Sequence, residues 1–202
     1  VGSLDSTRTG IIYLSETVSN IAYRRPNDFS ETIVASKVAG DDNGFSFNTA
    51  VDANFSFYEN TLNLNRQIVS PIADNAYNYY SYRLEGTFYE NGKLINKIVV
   101  TPKRENDRVF SGIMYIVEDQ WQLYGVDLKT NREAIQVPFI EELYFKQNFK
   151  FQEGLQQWVK MSQAIDFTFN FMGLKGDGRF TAAYSNYDFA PNFDKKSFSN
   201  EI

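Results

Sequence analysis

Apolar residues, most of them phenylalanine, occupy alternate positions in three stretches of the chain, at 45–57, 143–151 and 159–171. Successive side chains of an extended strand point to opposite faces of a sheet, so this spacing predicts strands with one face kept from water. In the last stretch the positions between the apolar ones hold polar residues, namely Lys160, Ser162, Asp166, Thr168 and Asn170. The chain is therefore predicted to fold mainly as antiparallel β-sheet.

The length of these stretches is the second constraint. A strand of ~13 residues at ~3.3 Å per residue spans on the order of 43 Å, against a usual five or six residues per strand. Such strands suit a strongly curved sheet, and the concavity of a curved sheet must be filled by a helix, a loop or a guest molecule. We expect a long curved sheet, a half-barrel with one or two short helices, forming a single domain over residues 1–202.

Turn residues predict two hairpins. Asn91-Gly92 separates alternating runs at 83–89 and 94–101, and this dipeptide supplies the two positive φ angles of a type I′ turn. Residues 113–117 and 121–126 form a second pair that is apolar on both faces, with a bulge expected at Gly125 because the apolar phase changes there.

Three further segments carry local signals. Ser70 and Pro71 suit the start of a helix that would run from Pro71 to Tyr80. Residues 11–24 fit either a helix or a strand, and their β-branched and aromatic residues favour a strand. The glycines from Gly173 to Gly178 predict a turn between two strands.

The residue types that are missing restrict the chemistry. The chain has no His and no Cys, which removes the commonest general base, the commonest transition-metal ligand and the thiol nucleophile. A Ser-Lys pair or a two-carboxylate site remains possible, but no spacing favours either. Asp41-Asp42-Asn43-Gly44 lacks the spacing of a calcium loop and is interpreted as a turn. We expect neither an enzyme nor a bound metal or cofactor.

The charge pattern argues against nucleic acid as a partner. The formal net charge is −5, and the Lys and Arg residues are scattered rather than gathered into a stripe. A phosphate backbone requires such a positive footprint.

The candidate ligand-binding residues are the aromatic ones on the predicted dry face. A lipid or other apolar ligand would gain from removing ring surface from water. Ordinary core packing explains the same residues, and the sequence leaves both interpretations open. The candidates are Phe45, Phe47, Phe55, Phe57, Trp121, Phe167, Phe169 and Phe171.

Several segments resemble the middle region of a family of uncharacterised outer-membrane proteins from Bacteroidota. The resemblance is carried by Leu14-Ser15-Glu16-Thr17-Val18, by 70–76 and by the stretch from Ile95 to Leu128. It implies a periplasmic domain that lies between a carboxypeptidase-regulatory-like β domain and a receptor-like outer-membrane barrel of the same parent chain. The pattern from Gly112 to Leu128 is also similar to hairpins of lipoprotein-carrier half-barrels.

Two functions are consistent with this resemblance. The first is a non-catalytic periplasmic module that binds an apolar ligand or an envelope partner in the concave face of its sheet. The second is a purely structural spacer whose groove is filled by its own chain.

Overall fold

The computed structural model describes residues 2–4, 11–24, 28–40, 55–193 and 198. The fold is mainly β, with 63% of residues in strands and 4% in helices. The helical elements are one 3₁₀ turn at Ala76–Asn78 and one short helix, α1, at Arg132–Ile135. The strands are β1 (Gly2–Leu4), β2 (Ile11–Arg24), β3 (Asp28–Gly40), β4 (Thr61–Leu64), β5 (Arg66–Val69), β6 (Tyr80–Glu90), β7 (Lys93–Pro102), β8 (Ser111–Val117), β9 (Leu123–Asn131), β10 (Ile140–Gln152), β11 (Gln157–Phe171) and β12 (Leu174–Ala183).

Ten of these strands form one antiparallel sheet in the order β3-β2-β1-β12-β11-β10-β9-β8-β7-β6. Strands β6 to β12 follow one another along the chain, while β4 and β5 make a separate two-stranded ribbon. Within the described residues the end strands β3 and β6 do not pair with each other, so the sheet stays open. The predicted mainly β fold is confirmed. None of the helices in the described part of the chain is long and apolar enough to cross a membrane.

Both predicted hairpins are present. Asn91 and Gly92 have φ angles of 51° and 74°, as a type I′ turn requires. Strands β8 and β9 pair, and the register passes from Tyr115↔Gly125 to Ile116↔Leu123. Tyr124 is therefore the extra residue of a bulge, next to the glycine where the sequence placed it. The strand predicted over 11–24 is also observed, as β2.

The helix predicted from Pro71 to Tyr80 is wrong except for its 3₁₀ turn. Backbone bonds such as Ala73 N to Ser70 O (3.1 Å) and Ala76 N to Ala73 O (2.9 Å) close successive four-residue turns. The Ser70 hydroxyl donates to Phe57 O at 2.6 Å, so it ties this segment to the preceding chain. Tertiary contacts have replaced the intrahelical bonds that the local pattern suggested.

The turn predicted over Gly173–Gly178 is shorter than expected. Only Met172 and Gly173, with φ angles of 50° and 87°, make the turn, and β12 begins at the next residue. A Cβ atom added at Gly176 would lie 2.4 Å from Phe169 Cζ, and one at Gly178 would lie 2.0 Å from Phe167 Cζ. These two glycines are strand residues whose missing side chains leave room for the far ends of the facing rings.

The structure describes residues 55–57 of the strand predicted over 45–57, and these three residues are not in a strand. Residues 45–54, including Phe45 and Phe47, lie outside the described residues. Phe55 is in irregular structure and Phe57 in a turn, which Glu59 N closes by donating to Ser56 O at 3.1 Å.

One face of the sheet, here called the inner face, carries Leu143, Phe145 and Phe167 and is covered by residues 55–79, here called the filling segment. Phe57 is fully buried, with its ring centroid 5.1 Å from Phe110 and 6.0 Å from Phe145. The other buried apolar residues of the filling segment are Leu62, Ile68, Val69, Ala73 and Ala76.

The opposite face, here called the outer face, is lined by ion pairs between neighbouring strands. Lys97 Nζ lies 2.7 Å from Glu85 Oε2, and Lys129 Nζ lies 3.0 Å from Glu142 Oε1. The side chains in these pairs are at least a third exposed, so each pair adds little to stability. They indicate that this face is in water where these pairs lie.

Candidate functional site

The structure places the predicted ligand-binding residues in different environments. Phe57 and Phe167 are buried in the core, and Phe55 and Phe169 pack against it while partly exposed. Trp121 is 74% exposed, in the turn between β8 and β9. Phe171 ends β11, and its side chain lies outside the described part, as do Phe45 and Phe47.

Two separate groups arise from these candidates. Phe55 and Phe57 meet edge to face, with centroids 6.4 Å apart, and both contact the ring of Phe145. Phe167 and Phe169 are neighbours on β11, also 6.4 Å apart, and lie over the glycines of β12. Where the filling segment covers the inner face, the surface predicted to hold a ligand is occupied by the chain itself.

An open groove lies at the end of the sheet where the β8–β9 and β10–β11 turns meet. Its volume is about 1120 Å³, and its lining includes the buried side chains of Leu62 and Phe149. Six aromatic and five carboxamide side chains are among the residues that line it: Tyr23, Phe55, Tyr58, Phe149, Phe151 and Trp158, with Asn63, Gln120, Gln122, Gln156 and Gln157. We call this the amide groove.

Hydrogen bonds hold two rings of the amide groove in place. The indole Nε1 of Trp158 donates to Gln120 Oε1 at 2.9 Å. The Tyr58 hydroxyl donates to Gln122 Oε1 at 3.2 Å and accepts from Leu123 N at 2.9 Å. Burial raises the pKa of Tyr58, with the bond from Leu123 opposing that shift. Both ring orientations are therefore fixed before any ligand arrives.

The charge of the amide groove is low. Among the described residues that line it, Glu59 is the single carboxylate, and there is no Lys or Arg. Two lysines lie close to lining residues without being part of the lining: Lys93 Nζ is 5.2 Å from the centroid of Phe151 and 5.9 Å from that of Trp158, and Lys160 Nζ is 3.3 Å from Phe55 O. The groove can offer ring faces and amide hydrogen bonds to a ligand, and it has little means of neutralising a charge.

Sequence analysis missed the main residues of the amide groove. Tyr58, Gln120 and Trp158 lie in or beside turns, where no period marks a side chain as part of a site. The one available signal was the presence of glutamines on both sides of the β10–β11 turn, at Gln152, Gln156 and Gln157.

A second feature is a buried polar cluster around Lys160 on β11. Lys160 Nζ donates to Phe55 O at 3.3 Å and to Gln163 Oε1 at 3.2 Å, and lies 4.7 Å from the centroid of Tyr184. Gln147, fully buried, donates to Gln163 Oε1 at 2.7 Å. Its own Oε1 has no hydrogen-bond partner among the described residues. Burial lowers the pKa of Lys160 to about 8.

Protein stability is expected to rise with pH above about 8 because of Lys160. In the unfolded chain the lysine pKa is 10.5, whereas in the folded chain it is about 8. Between these two pH values the unfolded chain holds a proton that the folded chain has released, so raising the pH favours the folded state. The difference between these pKa values corresponds to on the order of 3 kcal/mol. Urea unfolding of wild type and Lys160→Met between about pH 7 and 9.5 checks this, and the variant should lack the rise.

The exposed Lys150 of β10 provides the control, since Lys150→Met should keep the rise of stability with pH.

Above about pH 10 stability should instead fall as the pH rises. Burial raises the pKa of Tyr184 and of Tyr187 to about 12, so the unfolded chain loses their protons first and folding becomes less favourable. A flat wild-type profile from pH 7 to 9.5 would contradict the burial of the Lys160 amine.

The part of the chain that the structure describes contains no group of three or more acidic side chains placed to hold a metal ion. The fold and its sites thus define a mainly β module with an open sheet, a face covered by its own chain and a groove rich in amides. The chain belongs to a family of unknown function (DUF5686), whose model matches residues 1–187. No curated protein and no solved structure matches it.

Proposed function

We propose that this chain is a non-catalytic structural module that serves as a spacer within a larger envelope protein. The observation that carries the proposal is that the inner face is already filled by the chain. A guest could enter only after the side chains of Phe57, Leu62 and Ile68 had left, and each of these is at most 1% exposed. Displacing such side chains would cost their burial free energy, about 1.5–3 kcal/mol each. A spacer needs a rigid body and no cavity for a guest, and the filled inner face meets both needs.

Hydrogen bonds fasten the filling segment to the sheet. The hydroxyl of Tyr80 donates to Val69 O and accepts from Phe110 N, the latter at 3.0 Å. The hydroxyl of Tyr82 donates to Pro71 O at 2.7 Å. Burial raises the pKa of both tyrosines, so both hydroxyls keep their protons at neutral pH. The segment is thus held as part of the core, which supports a structural role.

The polar groups of the described sites also favour a module without catalysis. Among its described lining residues the amide groove has one carboxylate, Glu59, whereas carboxylate-based hydrolysis of glycosides requires two that face each other. Placement beside an outer-membrane barrel, on its periplasmic side, follows from the family resemblance and forms part of the proposal.

Native mass spectrometry of the protein purified from its own envelope, together with lipid extraction, tests this function. A module with a filled face should carry no lipid in near stoichiometric amount. The matched control is the Leu62→Ala variant, in which the emptied volume should admit apolar additives. Recovery of one lipid per wild-type chain would overturn the proposal and restore an apolar ligand in the sheet.

A further inference from the structure

The geometry points to the amide groove as a binding site for a neutral oligosaccharide. This goes beyond the structural function proposed above, since it concerns the end of the sheet rather than its filled face.

The first step of the argument is the combination of side chains. A carboxamide offers both N–H donors and an oxygen acceptor, and so does each sugar hydroxyl. A sugar ring also has C–H faces that pack on aromatic rings, while Tyr and Trp combine an apolar face with a polar edge. The groove supplies both kinds of group side by side, with Tyr58 and Trp158 among the rings and Gln120, Gln122 and Gln157 among the amides.

The second step is the state of those amides. In Gln120 and Gln122 the oxygens accept from Trp158 and Tyr58, which leaves each NH₂ group to donate to a ligand. The side chains of Asn63 and Gln157 are exposed and make no hydrogen bond within the described residues. The NH₂ groups of Gln120 and Gln122 are already oriented by these bonds and lose little freedom on binding, which favours affinity.

The third step separates a sugar from the other candidates. A lipid tail would leave the NH₂ groups of Gln120 and Gln122 and the side chains of Asn63 and Gln157 facing an apolar surface, which is unfavourable. A charged ligand would find one charged side chain, that of Glu59, among the described lining residues. An extended peptide cannot add as a strand between β10 and β11, because Phe149–Gln152 and Gln157–Lys160 already pair with each other. A neutral ligand with hydroxyl groups and apolar faces is the class that satisfies all of these conditions.

Tryptophan fluorescence provides the test, because the chain contains two tryptophans and only Trp158 lines the groove. In a Trp121→Phe background, Trp158 emission would be followed during titration with maltohexaose, cellohexaose, chitohexaose and mannohexaose. A saturable change is expected for at least one of these, with a Kd of about 10⁻⁴ to 10⁻³ M, as suits an open groove.

Two exposed positions allow a test without damage to the core. Gln157→Ala should weaken binding of that hexasaccharide by about threefold to tenfold, the range for loss of one hydrogen bond. Tyr23→Ala, which removes a ring at 47% exposure, should weaken it by a similar factor. The matched control is Tyr89→Ala, an aromatic residue at 76% exposure outside the groove, which should bind as the parent does.

Three results would overturn the proposal. They are no saturable response to any of the four sugars up to about 10 mM, binding that Gln157→Ala and Tyr23→Ala leave unchanged, and a response to a proline-rich peptide or a detergent monomer but to no sugar. None of these bears on the filled inner face, so the structural proposal is decided separately by its lipid measurement.

Discussion

Replacing Phe57 by alanine is expected to lower the free energy of unfolding by about 3–5 kcal/mol, the usual cost of deleting a fully buried ring. Its side chain is wholly inaccessible and lies among the rings of Phe55, Phe110 and Phe145. Its carbonyl oxygen also accepts the Ser70 hydroxyl at 2.6 Å, so the surrounding chain cannot easily collapse into the cavity. Urea unfolding followed by tryptophan emission measures the change.

Tyr89→Ala is again the comparison, since an exposed residue of that kind normally changes stability by less than about 0.5 kcal/mol. A Phe57→Ala protein within about 1 kcal/mol of wild type would show that the filling segment is not part of the core. That outcome would remove the main support for the spacer proposal.

Gly112→Ala is expected to destabilise the protein by about 2–4 kcal/mol, through strain and a steric clash together. Gly112 has a φ of 137°, a region that L-residues rarely adopt. A Cβ atom there would also lie 2.3 Å from the carbonyl oxygen of Asp127, which is backbone of the neighbouring strand β9 and cannot rotate away. Because β8 and β9 are interior strands, the displacement would spread to the core. Thermal unfolding gives the measurement.

Gly86 of β6 offers the matched control, because a Cβ atom there meets nothing within 4 Å. Gly86→Ala should leave stability unchanged or raise it slightly by restricting the unfolded chain. If both glycine variants melted at the wild-type temperature, the close approach of β8 to β9 at Gly112 would be wrong.

The strands were predictable from sequence because one face of each is dry and the other wet. In β10, Leu143, Phe145 and Phe149 are buried while Tyr144 and Lys146 are exposed, as the alternation predicted. The turn at Asn91-Gly92 was predictable for a local reason, since few other dipeptides adopt two positive φ angles easily.

A bulge explains where the alternation failed in β11. The register passes from Asn148↔Ser162 to Phe149↔Lys160, so Met161 is the extra residue and is 43% exposed. Lys160, expected on the polar side, thereby comes to lie opposite Phe149 and reaches the buried cluster. A period of two residues cannot reveal where one residue is inserted.

The filling segment and the amide groove could not be predicted, because both depend on contacts between distant parts of the chain. Gln147 reaches the carbonyl of Phe55 across 92 positions of sequence, and Tyr58 reaches Leu123 across 65. Local spacing at 71–80 suggested a helix, but bonds to Phe57, Tyr80 and Tyr82 determined the observed turns instead. Such long-range pairings leave no local pattern in the sequence.

Strand β1 is three residues long and, among the described strands, is the one that joins the β2–β3 ribbon to the rest of the sheet. It joins β12 through three residue pairs and β2 through three, whereas β2 and β3 share twelve. Two-stranded ribbons are marginally stable when isolated, so amide hydrogens in β2 and β3 should exchange with solvent well before those of β7 to β11. Because Tyr23 near the tip of this ribbon lines the amide groove, each such local opening would also widen the groove on one side.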